Sequence, residues 1–346
     1  MDVRALIKQK LRDQDFITSR EIEEDTGLSR QAVHKYLKEL REAGELRKIG
    51  STRGVKYIKA TAPPELEHSI RRVYRNIGLE EDRVFRALSL EMHLPGQINT
   101  NANHIVSYGF MELMNNAIEH SASEKIQIRF QLQPYCCEFR IKDYGIGIFA
   151  HIKEKQGLGT EREALQDLLK GKTTTDPVHH SGEGIFFTSR AADYLRITSH
   201  RLSLVFNNVE EELYFQQVKP YKGTGVTFRI SRHTKKDLGG IFSQYGGEEF
   251  GYEFGRTQVT VSLYTGPDSR FVSRSKARRL LHGLGKFREI ILDFNGVTTI
   301  GQGFTDQIFR VFQRTHPEIT IIPANANDAV KAMIQHVNSV DDKNEI

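Results

Sequence analysis

The chain has 346 residues, and 49 Lys and Arg against 44 Asp and Glu give it a formal net charge of +5. This balance excludes a uniformly basic, histone-like protein and a chain kept unfolded by its net charge. The 2 cysteines, Cys136 and Cys137, are neighbours, which excludes a disulfide-stapled secreted fold and a zinc site built on several cysteines. We expect a cytoplasmic protein of roughly two or three domains, with no signal peptide and no membrane-spanning helix.

The basic excess lies at the N-terminus, where residues 1–60 hold 14 Lys and Arg against 10 Asp and Glu. Apolar spacing predicts three helices here, with Ser19 as the N-cap of the second and Gly27 as its end. Ser29 is the predicted N-cap of the third helix, Arg30–Ala43. A short helix, a glycine turn and a second helix that begins with polar residues are typical of a helix-turn-helix, and the basic residues that follow predict a two-stranded hairpin.

The residues from Leu28 to Leu37 read Leu-Ser-Arg-Gln-Ala-Val-His-Lys-Tyr-Leu. With the hairpin, the block resembles the winged helix-turn-helix domain of bacterial transcription regulators. The alternative is a protein-interaction module, because winged helices also serve that purpose. We expect double-stranded DNA as the partner, with bases read by the third helix and phosphates held by the wing. The predicted DNA-contacting residues are Ser29, Arg30, Gln31, His34 and Lys35 on the helix, and Lys48, Arg53 and Lys56 in the wing.

Two polar motifs occupy the first part of the middle block. Glu112 and Asn116 are four residues apart on a predicted helix, so their side chains share one face. An amide oxygen can ligate a hard cation, and a carboxylate one turn away can orient a nucleophile. Asp143 ends a predicted strand, where it can accept a hydrogen bond from an adenine amino group. Gly145 and Gly147 follow it and let backbone approach a ligand closely.

Two glycine-rich motifs follow. Gly182-Glu183-Gly184 opens a predicted helix, whose free N–H groups suit phosphate. The stretch before it, residues 170–177, lacks periodicity and is interpreted as a mobile lid. Gly223-Thr224-Gly225 is a turn that leads into a strand. In order and type, the four motifs resemble those of the GHKL ATPase superfamily, which includes gyrase, heat-shock chaperone ATPases, histidine kinases and MutL.

This resemblance implies an α/β sandwich, the Bergerat fold, with a mixed sheet covered by helices on one side. It also implies that the chain binds ATP and Mg²⁺. Asn116 would ligate Mg²⁺, and Glu112 would be the catalytic residue, either activating water or taking a proton from a substrate serine as in anti-sigma-factor kinases. The other residues implied in nucleotide binding are Asp143 for adenine, Thr224 beside it, and Gly145, Gly147, Gly182, Glu183 and Gly184.

Residues 256–338 predict alternating strands and helices, which indicates a small α/β domain. The pattern resembles STAS-like domains with the anti-anti-sigma fold, in which the loop before the second helix carries a phosphorylatable serine. Here that loop is Ile300-Gly301-Gln302-Gly303 and has no hydroxyl, while Thr299 and Thr305 are offset. The sequence therefore favours a docking role for this domain over regulatory phosphorylation.

The sequence thus predicts an α/β multidomain protein. We expect an ATP-binding transcription regulator in which Mg-ATP binding or hydrolysis modulates DNA binding or partner docking, with a regulatory protein partner and a homodimer as further expectations. One alternative is an anti-sigma-type serine/threonine protein kinase, and another is an ATPase whose winged helix docks only protein. The predicted boundaries are 1–60 for the winged helix, 61–80 for a linker and helix, 81–232 for the GHKL domain, 233–255 for a connector, 256–338 for the STAS-like domain and 339–346 for a tail.

Overall fold

The computed structural model describes residues 2–13, 16–49, 55–60, 68–171, 183–246, 255–264 and 273–341. The chain divides into two compact units. Unit 1 contains residues 1–148 and 188–238, and unit 2 contains residues 149–187 and 239–346. Within the described parts of the chain, no helix is long and apolar enough to cross a membrane.

Unit 1 begins with a helix-turn-helix and a two-stranded wing, as predicted. Its elements are α1 (Val3–Asp13), α2 (Ser19–Thr26), α3 (Arg30–Glu42), β1 (Leu46–Ile49) and β2 (Lys56–Lys59). The N-cap of α2 is Thr18 and not Ser19, because Thr18 and Glu21 form a reciprocal capping box. Gly27 ends α2 in the left-handed conformation, and Ser29 caps α3, both as predicted.

The rest of unit 1 is built on a five-stranded sheet. Its strands are β3 (His68–Arg75), β4 (Lys125–Leu132), β5 (Cys136–Asp143), β6 (Tyr194–Asn207) and β7 (Glu212–Ser231), in the order β3-β4-β5-β7-β6. Each neighbouring pair is antiparallel, so the sheet is not the mixed sheet that was expected. Residues 61–80, predicted as a linker and helix, instead contain the edge strand β3, which is held by its full pairing with β4.

One face of this sheet packs against helices α4 (Glu81–Glu91) and α5 (Thr100–Glu119). The core between them is aromatic: the Phe110 and Phe139 ring centroids lie 5.3 Å apart, and those of Phe139 and Phe228 lie 4.7 Å apart. Along β4 and β5 the residues on this face are buried and the alternate ones are more exposed. The strands therefore carry an apolar face toward the helices and a polar face away from them.

Unit 2 contains a three-stranded parallel sheet in the order β10-β9-β8. Strands and helices alternate here as predicted: β8 (Arg256–Thr260), α10 (Arg274–Leu281), β9 (Glu289–Asp293), α11 (Gln302–Asp306), a π-helical segment Gln307–Phe312, α12 (Gln313–Thr315), β10 (Thr320–Ala324) and α13 (Asp328–Asp341). Four further α-helices of the described residues are α6 (Ile148–Lys155), α7 (Glu161–Lys170), α8 (Gly184–Ala191) and α9 (Leu238–Gly246). Residues 184–187 of α8 belong to unit 2 and residues 188–191 to unit 1.

Helix α7 packs against strand β8 and the turn that follows it in unit 2. The Thr257 hydroxyl donates to the Lys170 carbonyl at 2.5 Å, and the Tyr264 hydroxyl donates to the Gln166 carbonyl at 2.7 Å. In the sequence this helix falls inside the 81–232 range predicted for the ATPase domain. Its side chains nevertheless contribute to the core of unit 2.

Candidate functional site

Asp143 is the last residue of β5 and is 4% exposed. Its Oδ1 accepts hydrogen bonds from the backbone N–H of Gly145 at 2.9 Å and of Thr224 at 3.0 Å. Burial raises the pKa of this carboxyl group, and the hydrogen bonds from Gly145 and Thr224 oppose that rise. Oδ1 accepts both backbone hydrogen bonds, which fix the orientation of the carboxylate. Oδ2 takes part in neither of them.

The turn after Asp143 is tied to the C-terminal end of α5. The Ile146 N–H donates to the Ser121 carbonyl at 2.9 Å, and the Ser121 hydroxyl donates to the Ala117 carbonyl at 2.5 Å. A Cβ atom at Gly145 would lie 1.7 Å from the Ser121 carbonyl oxygen, so only glycine fits there. Contact with the protein backbone therefore requires glycine at position 145, whereas the sequence suggested the close approach of a ligand.

Asn116 and Glu112 lie on the last turns of α5, and both side chains are half-buried. The Asn116 side-chain amide donates to the Glu112 carbonyl at 2.8 Å. With Nδ2 engaged on its own helix, Oδ1 is the atom of Asn116 suited to a cation. The structure therefore brings the end of α5 that carries Asn116 next to the turn that begins at Asp143, through Ser121.

The other predicted nucleotide residues divide between the units. Thr224 is buried in unit 1, and its hydroxyl accepts a hydrogen bond from the Ile148 N–H at 2.9 Å. Gly147 is in the turn after Asp143 and is also buried. Glu183 and Gly184 are at the start of α8 in unit 2. Gly182 and residues 172–177 of the expected lid lie outside the described residues.

Sequence reasoning missed the groups that hold this turn. Besides Ser121, the Ser123 hydroxyl accepts a hydrogen bond from the Tyr144 N–H at 2.9 Å. Gly223 lets the Thr224 N–H approach Asp143, because a Cβ atom at residue 223 would lie 2.6 Å from Asp143 Oδ1 and clash with it. In the sequence, the signal that could have found these groups is the pair of serines just after a long helix. Their hydrogen-bond partners in the turn after Asp143 depend on tertiary structure, which the local sequence does not reveal.

Most of the predicted DNA-contacting residues are on the surface. The five on or before α3, and Lys48 on β1, are exposed: Ser29, Arg30, Gln31, His34, Lys35 and Lys48. Arg53 lies outside the described residues. The first turn of α3 therefore presents a polar and basic surface, as the helix-turn-helix geometry requires.

Lys56 differs from the other predicted phosphate contacts because it is only 5% exposed. Its Nζ lies 3.5 Å from the centroid of the Phe16 ring and 5.6 Å from that of Tyr135. Among the described residues, Nζ has no hydrogen-bond partner, and burial lowers its pKa. Lys56 therefore packs inside unit 1 and differs from the exposed phosphate contact that the sequence predicted.

The loop before α11 has no side chain at the start of the helix that caps it. Gly301 stands at the N-cap, with no side-chain cap. Thr305 is fully buried, and its hydroxyl donates to the Gly301 carbonyl at 3.0 Å. A hydroxyl so placed is not accessible to a kinase, whereas Thr299 is exposed.

Comparisons with known proteins identify the two ends of the chain. Residues 3–58 match the family model described as "HTH domain". Residues 276–331 match the model described as "STAS-like domain of unknown function (DUF4325)". A search of curated proteins finds no match to this chain. The four motifs between Glu112 and Gly225 fall outside both matched ranges. The chain therefore carries an N-terminal helix-turn-helix domain and a C-terminal STAS-like domain.

Proposed function

We propose that this protein is an ATP-responsive, DNA-binding regulator, in which the five-stranded sheet of unit 1 holds the nucleotide. The observation that carries the proposal is the Asp143 carboxylate, buried at the end of β5 and oriented by two backbone N–H groups. An acceptor held this way suits the amino group of adenine, because a buried donor needs a fixed partner. The helix-turn-helix domain supports DNA as the macromolecular partner.

Asn116 fits the role of a magnesium ligand because its Oδ1 is left available by the bond from Nδ2 to its own helix. In the described parts of the chain, no three His, Cys, Asp or Glu side chains form a cluster that could hold a metal. Mg²⁺ usually combines one or two protein ligands with substrate phosphates and water. Asn116 would hold the ion in that way, and the ion would neutralise phosphate charge.

Glu112 is one helical turn before Asn116, where its carboxylate would act as a general base. As a proton acceptor, Glu112 would serve either of two reactions. Water attacks the γ-phosphate in one, and the serine hydroxyl of a partner protein attacks it in the other. The second would make the protein a serine/threonine kinase of the anti-sigma type. The two reactions differ in the final position of the phosphate.

Isothermal titration of Mg-ATP into wild type and Asp143→Asn tests the nucleotide site. Asparagine keeps an oxygen for Gly145 and Thr224 but turns an NH₂ group toward the adenine amino group. Two donors then face each other, and we expect about a 10- to 100-fold loss of affinity. The Asp143→Asn protein should remain folded, because the substitution removes a buried charge.

Asp293→Asn is the matched control, because Asp293 also ends a strand and accepts the N–H two residues on, Asn295, at 3.0 Å. It should bind nucleotide like wild type. Glu112→Ala should bind Mg-ATP and lose turnover, and phosphate released into water or transferred to a protein identifies the reaction. Equal affinity of wild type and Asp143→Asn, or no binding by wild type, overturns the proposal.

A further inference from the structure

The face of the five-stranded sheet that points away from α4 and α5 carries a row of arginines. The strand register aligns Arg71 of β3 with Arg129 of β4, and Arg129 with Arg140 of β5. The row continues through Thr227 of β7 to Arg196 of β6. Four of the five positions in one line across the sheet are therefore arginines.

The neighbouring positions add further positive charge. Arg75 pairs with Lys125 at the end of β3, and Lys142 lies two residues beyond Arg140 on the same face. The Lys142 Nζ lies 4.7 Å from the Tyr144 ring centroid and 4.2 Å from that of Tyr221, which holds this cation in place.

Three of these arginines, on the neighbouring strands β3, β4 and β5, are exposed: Arg71, Arg129 and Arg140. Arg71 donates to the Gln127 side chain at 3.2 Å and Arg140 to the Tyr221 hydroxyl at 3.0 Å, both uncharged partners. Among the described residues, none of the three arginines forms an ion pair. The nearby carboxylate of Glu138 is engaged with Arg229, whose Nε lies 2.8 Å from it.

Like charges directly opposite each other in a sheet are destabilising. The row therefore costs stability in the free protein, and a bound anion would relieve the repulsion. Adjacent strands are about 4.8 Å apart, so the row extends over about 19 Å. Charges spread over that length on a sheet surface suit a linear polyanion, and guanidinium groups match phosphate geometry.

The winged helix packs on this same face. Cys136, at the start of β5, shares the face with Arg140 because side chains alternate along a strand. The Cys136 side chain is buried in a cluster with Ile58 and Phe16 of the winged helix and Tyr135. The arginine row is thus four residues along β5 from the contact with the DNA-binding domain. We propose that this sheet face is a second DNA surface, which holds the phosphates of duplex DNA without reading its sequence.

The test is the salt dependence of DNA binding by the full chain without nucleotide, so that it is independent of the proposed nucleotide site. The probe is a 40-bp duplex of mixed sequence, measured by fluorescence anisotropy between 50 and 300 mM NaCl. The variant R71A/R129A/R140A should lower the slope of log K against log salt by about 3, since each phosphate contact contributes about 0.9. Its affinity at 100 mM NaCl should fall at least about 10-fold.

The control variant R83A/R86A/K331A removes the same charge from other exposed positions and should retain the wild-type slope. Arg129→Gln alone should lower the slope by about 1, which protects the test if the triple variant is poorly folded. A triple variant with the slope of the control overturns the proposal. So does a loss of affinity confined to single-stranded oligonucleotides or to phosphatidylserine vesicles, because the face then serves that ligand.

Discussion

Two lysines of the wing hairpin have opposite environments. Lys48 is exposed on β1, whereas Lys56 on β2 is buried against the Phe16 ring. From the sequence both look like phosphate contacts, because a basic residue in a two-stranded hairpin is expected to be solvated. The burial of Lys56 follows from packing of the hairpin on Tyr135, a residue far along the chain that local pattern cannot reveal.

We predict that Lys56→Met raises the free energy of unfolding by about 1 kcal/mol. Burial lowers the pKa of Lys56, so the folded state disfavours its charged form, and methionine removes that charge while keeping the volume. Chemical denaturation measures the change, and Lys59→Met, at an exposed position of the same strand, is the control. A Lys56→Met protein less stable than wild type would contradict this account.

Substitution of the same two lysines distinguishes a residue that contacts DNA from one that is buried in the core. Lys48→Ala should lower the salt slope of DNA binding by about 1, because an exposed phosphate contact is lost. Lys56→Met should leave that slope unchanged. Anisotropy titrations over a range of salt provide the measurement, and an equal fall in both variants would show that Lys56 reaches DNA.

At the scale of elements, a buried lysine contributes to the packing of α7 in unit 2. Lys170 is 3% exposed, its Nζ donates to the His282 carbonyl at 2.7 Å, and it lies 3.4 Å from Asp167 Oδ1. Burial lowers the pKa of Lys170 to about 8, although the pairing with Asp167 raises it. The pair with Asp167 lies within α7, and the hydrogen bond to the His282 carbonyl joins α7 to the end of α10.

Lys170→Met should lower the free energy of unfolding of unit 2 by about 3 kcal/mol or more, because Asp167 and the α10 carbonyls lose a buried partner. The double variant Asp167→Leu with Lys170→Met should recover part of this loss, since no buried charge remains. Urea denaturation of the three proteins provides the measurement. A single variant as stable as wild type would show that the pair does not hold α7.

The lysine also gives a pH dependence with a defined sign. Between pH 8 and 10.5 the folded state binds fewer protons at Lys170 than the unfolded state does, because the folded pKa is about 8 and the ordinary value is 10.5. The contribution of Lys170 to the free energy of unfolding therefore rises with pH across this window. Lys170→Met should remove that rise, which a pH series of denaturation curves would detect.

The elements that sequence predicts well are those with local signals. Gly27 and Ser29 mark the helix ends of the helix-turn-helix, and Asp143 ends a strand with alternating burial. Strand β3 was missed because it follows the prolines of the predicted linker, and its pairing with β4 is a long-range contact. The packing of α7 within unit 2 was missed for the same reason, since apolar periodicity predicts a helix and a buried face but not the partner.

At the scale of the whole molecule, strand β5 connects the two proposed functions. Its first residue, Cys136, packs with Phe16 and Ile58 of the winged helix, and its last residue, Asp143, forms the proposed adenine site. Seven residue steps separate them, about 24 Å in an extended strand. A nucleotide that shifts Asp143 and its turn could alter DNA affinity through this strand, provided that it binds the two states unequally.

The measurement that tests this account most directly is the Kd for DNA of wild type and Asp143→Asn, each without nucleotide, with ADP and with Mg²⁺ and a non-hydrolysable ATP analogue. Coupling between sites typically amounts to about 1–3 kcal/mol, so nucleotide should change the wild-type Kd by at least about 5-fold. Asp143→Asn should show no change, and Asp293→Asn should respond like wild type. A wild-type Kd that is identical in all three states would contradict the account.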